Sequence, residues 1–192
     1  MRQGLKYTIT IIAGLALGTG AAWALAGRGL GKAEIVNGSW TTSLGYGTKA
    51  TEPFTRAAVA RRGLLALPAT ETVYWQGGVD SEGKPLNGSC RYAMTGTALD
   101  ARWWSVTVYD TMGYLMPNEL NAWSFNGAAI SEAEKGGWRV EVGPQKPASG
   151  HWLPTTAGQP FHLTLRVYNP GKGFMGAPSK AALPVLKKEG CA

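Results

Sequence analysis

The sequence predicts a mainly β protein: an antiparallel β-sandwich or jelly-roll-like domain with one N-terminal amphipathic helix, preceded by a transmembrane helix. Three observations carry that prediction. Residues 7–27 hold no charged side chain. Residues 101–110 and 161–168 alternate apolar and polar side chains with a period of two, the mark of half-buried strands. A composition of 27 Gly, 11 Pro, 8 Trp and 7 Tyr in 192 residues suits short strands and turns better than long helices. At 44% hydrophobic and 16% charged, the chain is too apolar for intrinsic disorder. Its length supports one domain with an appendage.

The appendage comes first. Arg2 and Lys6 precede the stretch IIAGLALGTGAAWALAG, and about 20 such residues span about 30 Å as a helix, the thickness of a bilayer's hydrocarbon core. Residues 1–6 then read as a cytoplasmic tail, 7–27 as the span, 28–50 as a linker and 51–192 as the β-rich domain. Arg28 and Lys32 blunt the charge asymmetry, but short N-terminal tails are rarely translocated, so the tail stays inside. A cleaved secretory signal is the competing reading, because Ala24-Leu25-Ala26 forms an A-x-A site. The apolar run exceeds the usual signal core of about 7–15 residues, which favours an uncleaved anchor. Both readings put the domain outside the cytoplasm.

Charge and cysteines follow from that placement. Four cations flank the span; from Ala33 onward 15 Lys and Arg face 12 Asp and Glu, with no basic run longer than Arg61-Arg62 or Lys187-Lys188. Nucleic acid binding needs a clustered cationic stripe, so it is excluded as a function. Cys90 and Cys191 are the two cysteines, and in an oxidising compartment they most simply form one disulfide that pins the C-terminal tail to a strand. A redox pair or metal ligation is the alternative. There is no C-x-x-C, and neither His151 nor His162 stands at ligand spacing from a cysteine, so no metal or cofactor is expected.

Residues 33–50 are Gly-rich and read as a linker with room for one short strand. In TEPFTRAAVARRGLLAL, Thr51 is the expected N-cap and Pro53 fits the first turn. Phe54, Ala57, Ala58 and Leu64 or Leu65 share one face, and Gly63 and Pro68 close the helix. ETVYWQG (71–77) and CRYAMTG (90–96) look like a hairpin with a long connection. ARWWSVTVYD (101–110) is the clearest strand. A turn-rich loop and AWSFNG follow, and then GWRVEV, with Trp138, Val140 and Val142 opposite Arg139 and Glu141. FHLTLRVY (161–168) is the last clean strand before a tail of turns. About seven strands at this spacing imply a sandwich, jelly roll or partly closed barrel.

Two strands concentrate the chemistry. Trp104, Val106 and Val108 lie on one face of 101–110, with Trp103, Ser105, Thr107 and Tyr109 on the other. In 161–168 the apolar face is Phe161, Leu163, Leu165 and Val167, and the other bears His162, Thr164, Arg166 and Tyr168. If the two strands are neighbours, their mixed sides share one surface. Rings there would cover the apolar faces of a carbohydrate while Arg, His and hydroxyls take hydrogen bonds. The candidate ligand residues are Trp103, Ser105, Thr107, Tyr109, Asp110, Asn118, Trp152, His162, Arg166 and Tyr168. An ordinary solvated sheet face with cross-strand Thr and Tyr pairs explains the same pattern.

Catalytic patterns are thin. Asp100, Asp110 and Glu119 supply carboxylates for glycoside hydrolysis, and Ser105, His162 and Asp110 a paper triad. No G-x-S-x-G, H-E-x-x-H, P-loop or dinucleotide fingerprint is present.

ARWWSVTVYDTMGYLMPNELNAWSF, then HWLP, then FHLTLRVYNP, resembles the bacterial family catalogued as domain of unknown function 1214. Five elements recur in that order over roughly residues 71–191. The resemblance implies a β-rich, jelly-roll-like ectodomain in short, membrane-anchored bacterial proteins, with no established activity. It also implies a companion, domain of unknown function 1254, on the same chain or an adjacent gene; none lies within this sequence, so a separate partner chain is expected. The expected location is the bacterial inner membrane with the domain in the periplasm, or the periplasm after cleavage near Ala26.

Three functions fit: a non-catalytic module binding a glycan-like ligand or a partner protein through 103–109 and 162–168; a hydrolase of envelope carbohydrate or ester using Asp110 with Glu119 or His162; and a structural spacer. The first is favoured. Mass determination of the exported protein with and without reductant reads the cleavage and the disulfide together: an intact N-terminus and a reductant-dependent mass are expected.

Overall fold

Alternation becomes architecture through ten strands among the described residues, divided between two sheets. The computed structural model describes residues 2–27, 35–49, 51–61, 64–118 and 120–191. The strands are β1 (Ile35–Asn37), β2 (Trp40–Thr42), β3 (Thr72–Gly77), β4 (Cys90–Gly96), β5 (Ala101–Asp110), β6 (Ser124–Asn126), β7 (Trp138–Gly143), β8 (His151–Pro154), β9 (Phe161–Pro170) and β10 (Val185–Cys191). Helices α1 (Arg2–Gly27), α2 (Pro53–Arg61) and α3 (Lys172–Gly176) complete the regular elements used below. One sheet runs β1-β2-β3-β9-β5-β6 and the other β10-β4-β7-β8. The pairing is antiparallel except for β7 with β8, which run parallel, so the strictly antiparallel expectation gives way to a mixed second sheet.

The apolar faces meet as the periodicity predicts. Trp104, Val106 and Val108 of β5, Leu163, Leu165 and Val167 of β9, and Val73 and Trp75 of β3 are buried. They join Tyr92, Met94, Trp138, Val140, Val142, Leu153 and Leu186 of the second sheet in one core. Each such side chain contributes about 1.5–3 kcal/mol when taken out of water. The Trp104 and Trp138 rings stack across the sheets with centroids 5.1 Å apart. That contact needs a bare backbone next to it: a Cβ on Gly96, paired with Trp138, would sit 2.5 Å from the indole. Phe174 of α3 closes one end, its ring edge-on to Trp75 at 6.4 Å.

Four expectations are corrected. Strands β3 and β4 do not form a hairpin, because β3 already has β2 and β9 as neighbours and offers no edge; residues 78–89 carry the chain across to the other sheet. The segment expected as linker contains the β1–β2 hairpin, turned at Gly38 with φ +57°, and Trp40 is buried with its Nε1 donating to the Pro184 carbonyl at 2.6 Å. The amphipathic helix is shorter than expected, buries Ala58, and leaves Phe54 and Leu65 exposed. Its first turn is served by Glu52, whose carboxylate accepts from the Phe54 and Thr55 amides, while the Thr51 hydroxyl donates to the Gly45 carbonyl. The expected closing residue Gly63, and Arg28, Lys32 and Glu119, lie outside the described residues.

The tail of turns ends in β10, which pairs with β4 from Val185↔Thr95 to Cys191↔Cys90, with a one-residue bulge between Lys188 and Gly190. Cys90 and Cys191 are disulfide-bonded across 101 positions of sequence. At the N-terminus, Gln3–Leu25 is long and apolar enough to cross a membrane, with none of it buried in the fold. Closing a loop of about 100 residues stabilises by up to about 4.7 kcal/mol in the chain-entropy account. Reduction, or Cys191→Ser, is therefore expected to lower the guanidinium midpoint and to raise amide exchange first along β10; an unchanged midpoint would show that strand pairing alone holds the tail.

Candidate functional site

Register builds the site. Strands β5 and β9 are hydrogen-bonded neighbours, and their outward residues pair as Trp103↔Tyr168, Ser105↔Arg166, Thr107↔Thr164 and Tyr109↔His162. Side chains directly opposite on one face lie about 4.5–5.5 Å apart at Cβ. Trp103 and Tyr168 meet with centroids 5.1 Å apart, and Tyr109 stacks on His162 at 5.7 Å. Between these ring pairs, Arg166 donates from Nη2 to the Tyr109 hydroxyl at 2.8 Å and from Nη1 to Thr107 Oγ1 at 3.3 Å. Two of its five donors are engaged there. The guanidinium also lies 5.5 Å from the centre of the Tyr109 ring.

Burial sorts this face. Ser105, Thr107 and Thr164 are buried, whereas Tyr109, His162, Arg166 and Tyr168 are half-buried and Trp103 is 38% exposed. The hydroxyl residues thus serve the sheet, and the reachable chemistry is rings and guanidinium. Strand β3 extends the face with Tyr74 opposite Arg166 and Gln76 opposite Thr164. Tyr74 is itself covered, packed with Tyr46 and Ala58 and accepting from the Leu67 amide at 3.0 Å. What stays open is a strip along β5 and β9. Tyr74 and Gln76 were missed from sequence, although the alternation of ETVYWQG places both opposite Val73 and Trp75.

The remaining candidates are not brought into the strip. Asp110 shares the inward parity of Trp104, Val106 and Val108 and pairs with Phe161, so it is on the opposite side of the sheet from His162. Its Oδ1 accepts from the Met112 and Tyr114 amides, both at 2.9 Å, and shapes the turn. Asn118 is consumed likewise: Oδ1 accepts from the Leu120 and Ala122 amides, and Nδ2 donates to the Met116 and Ala122 carbonyls. Trp152 belongs to β8 in the other sheet, its Nε1 donating to the Gly143 carbonyl at 2.9 Å.

The paper triad does not assemble. Ser105 pairs with Arg166, four residues or about 13 Å along the strand from His162, and Asp110 faces the other way. Asp100 and Asp110 are at opposite ends of β5, about 33 Å apart in an extended strand, against the roughly 5–9.5 Å of a glycosidase pair. The Asp100 carboxylate instead accepts from the Phe174 amide at 3.2 Å. Among the described residues, no group of three or more His, Cys, Asp or Glu could hold a metal.

A second polar cluster was not foreseen. The Glu134 carboxylate accepts from the Ser131 hydroxyl at 2.6 Å and the Ser131 amide at 2.9 Å, and lies 3.0 Å from His151 Nε2. Ser131 foremost, with His151, holds that carboxyl far below its ordinary value, at about 2.

Fold and strip define an aromatic-faced two-sheet β-sandwich. The chain belongs to the family described as Protein of unknown function (DUF1214), whose model matches residues 71–172, from β3 into α3. The VPA0106 protein of Vibrio parahaemolyticus is similar in structure, with a TM-score of 0.57 and 24% identity over 70% of this chain and 34% of its own. An uncharacterised protein from Burkholderia cenocepacia has a TM-score of 0.45 and 14% identity over 62% of this chain and 30% of its own. This chain thus spans about a third of the length of each. No curated protein matches it.

The Glu134 cluster yields a pH prediction. A carboxyl whose folded pKa is depressed contributes stability above its unfolded value, and loses it as pH falls toward the folded one. Comparison of Glu134→Gln with the parent by thermal melts should show the parent's advantage present above about pH 4.5 and shrinking towards pH 2. A pH-independent difference would mean that the carboxylate's charge contributes nothing there.

Proposed function

We propose that this protein is a non-catalytic binding module of the bacterial envelope, held at the inner membrane by α1 with its sandwich in the periplasm, and that it takes a glycan-like ligand along the β5–β9 strip. The carrying observation is the arrangement of two ring pairs, Trp103 with Tyr168 and Tyr109 with His162, bracketing Arg166 in register on adjacent strands. From residue 162 to residue 168 is about 20 Å of strand, which suits an extended ligand better than a small one. Aromatic rings offer an apolar face at low entropic cost, and the guanidinium offers planar donors to hydroxyl or carboxylate groups.

The apolar N-terminal helix and the disulfide support export. Among the described groups, Asp110 and His162 stand on opposite sides of the sheet, which favours binding over hydrolysis.

Titration of the full chain with soluble cell-wall oligosaccharides, followed by tryptophan fluorescence, tests the reading. A saturable change is expected. Trp103→Ala and Arg166→Ala should each weaken binding about tenfold or more, the effect of losing about 1.4 kcal/mol, with unchanged circular dichroism. Equal binding by both variants, or no response to any oligosaccharide, would overturn it; unfolding of both would assign these residues to structure.

A further inference from the structure

Helix α2 and the segment after it carry apolar surface that the sandwich does not use. Phe54 is 43% exposed, Leu67 41% and Leu65 87%. Leu65 also holds φ at +46°, a left-handed conformation that L side chains rarely adopt. The helix is nonetheless seated, because Ala58 and Val59 pack with Tyr46 and Tyr74, while Phe54 and Arg61 stay exposed at the rim of that contact. Its exposed face therefore has a fixed direction.

The same helix touches the anchor. Helices α1 and α2 are in contact, and the Arg61 guanidinium lies 4.7 Å from the centre of the Trp23 ring. Trp23 falls near the C-terminal end of the apolar span Gln3–Leu25, where tryptophan marks the level of the lipid headgroups. Arg61 is thereby placed at headgroup depth. Phe54 precedes it by seven residues and so falls on the same helix face. Charge agrees: Lys49, Arg56, Arg61 and Arg62 stand in this segment against Glu52 alone. The Glu52 carboxylate is turned back onto the Phe54 and Thr55 amides of its own helix.

We propose that α2 and residues 64–67 lie on the surface of the bilayer that α1 spans, with Phe54 and Leu65 at the headgroup–acyl boundary and Arg61 against anionic headgroups. This rests on reading α1 as a membrane anchor. Apolar burial and cation–headgroup attraction together give such interfacial segments their affinity. Because α2 covers Tyr74, which pairs with Arg166, the lipid surface borders the β5–β9 strip, and ligands of that strip are met close to the membrane.

The test uses the full chain reconstituted in vesicles of phosphatidylcholine, with or without phosphatidylglycerol. A fluorophore is placed at Leu65→Cys or, as a control on the other sheet, at Lys187→Cys, and quenched by shallow spin-labelled lipid. Both positions are exposed, so neither label disturbs the core. Flotation of the protein with vesicles first establishes anchoring. Quenching several-fold stronger at position 65 than at 187, increasing with phosphatidylglycerol and losing that increase in Arg61→Glu, is the expected result. Equal quenching at both positions in floating protein overturns the docking and leaves the anchor intact. Failure to float overturns the anchor reading and the docking with it.

Discussion

The structure depends on one antiparallel pairing, that of β5 with β9, held in register from Ala101↔Pro170 to Asp110↔Phe161. Side chains on a strand alternate strictly, so a slip of one residue would send Trp104, Val106 and Val108 to solvent and Trp103 and Tyr109 into the core. The core and the strip are thus two faces of one constraint. Hydrophobic burial on one side sets the register, and the register aligns the rings and the guanidinium on the other. The strip costs the fold little, because Thr107 and Thr164 between its rings are buried and hydrogen-bonded to Arg166 and Gln76.

How much was legible in the residues follows from that physics. Where alternation was strong, as in 101–110, 138–143 and 161–168, both strand and inward face were right, and the mixed faces met as expected. Pairing between distant segments was not legible in the same way. Residues 71–77 and 90–96 read as a hairpin because sequence proximity is a fair guide to pairing, yet β3 had both edges taken by strands that proximity does not reveal. The first hairpin was hidden in a Gly-rich stretch, although Asn37-Gly38 is a recognised turn signal; its anchor, Trp40, bonds a carbonyl 144 positions away. Among site residues, the strip members were visible from parity alone. Asp110 and Asn118 were drawn in by their chemistry, but short polar side chains after strands more often close loops than act on ligands, and these two do. The Glu134–His151 contact joins residues 17 apart through a turn and had no periodic signal to announce it.

The family match begins at β3, so it leaves out β1, β2 and α2. Those elements are the ones that connect the sandwich to α1. The matched portion holds the strip and most of the core, while the segment before it adds an edge hairpin that buries Trp40 and a helix that touches α1.

The bond between Cys90 and Cys191 also sets an order of events. With 101 positions between the partners, β4 leaves the ribosome long before its outer neighbour. At about 5–20 residues per second of synthesis the delay is several seconds. Through that interval β4 presents bare amides and carbonyls to whatever else is passing. Only the arrival of β10 ends the exposure, and oxidation then makes the closure hard to undo.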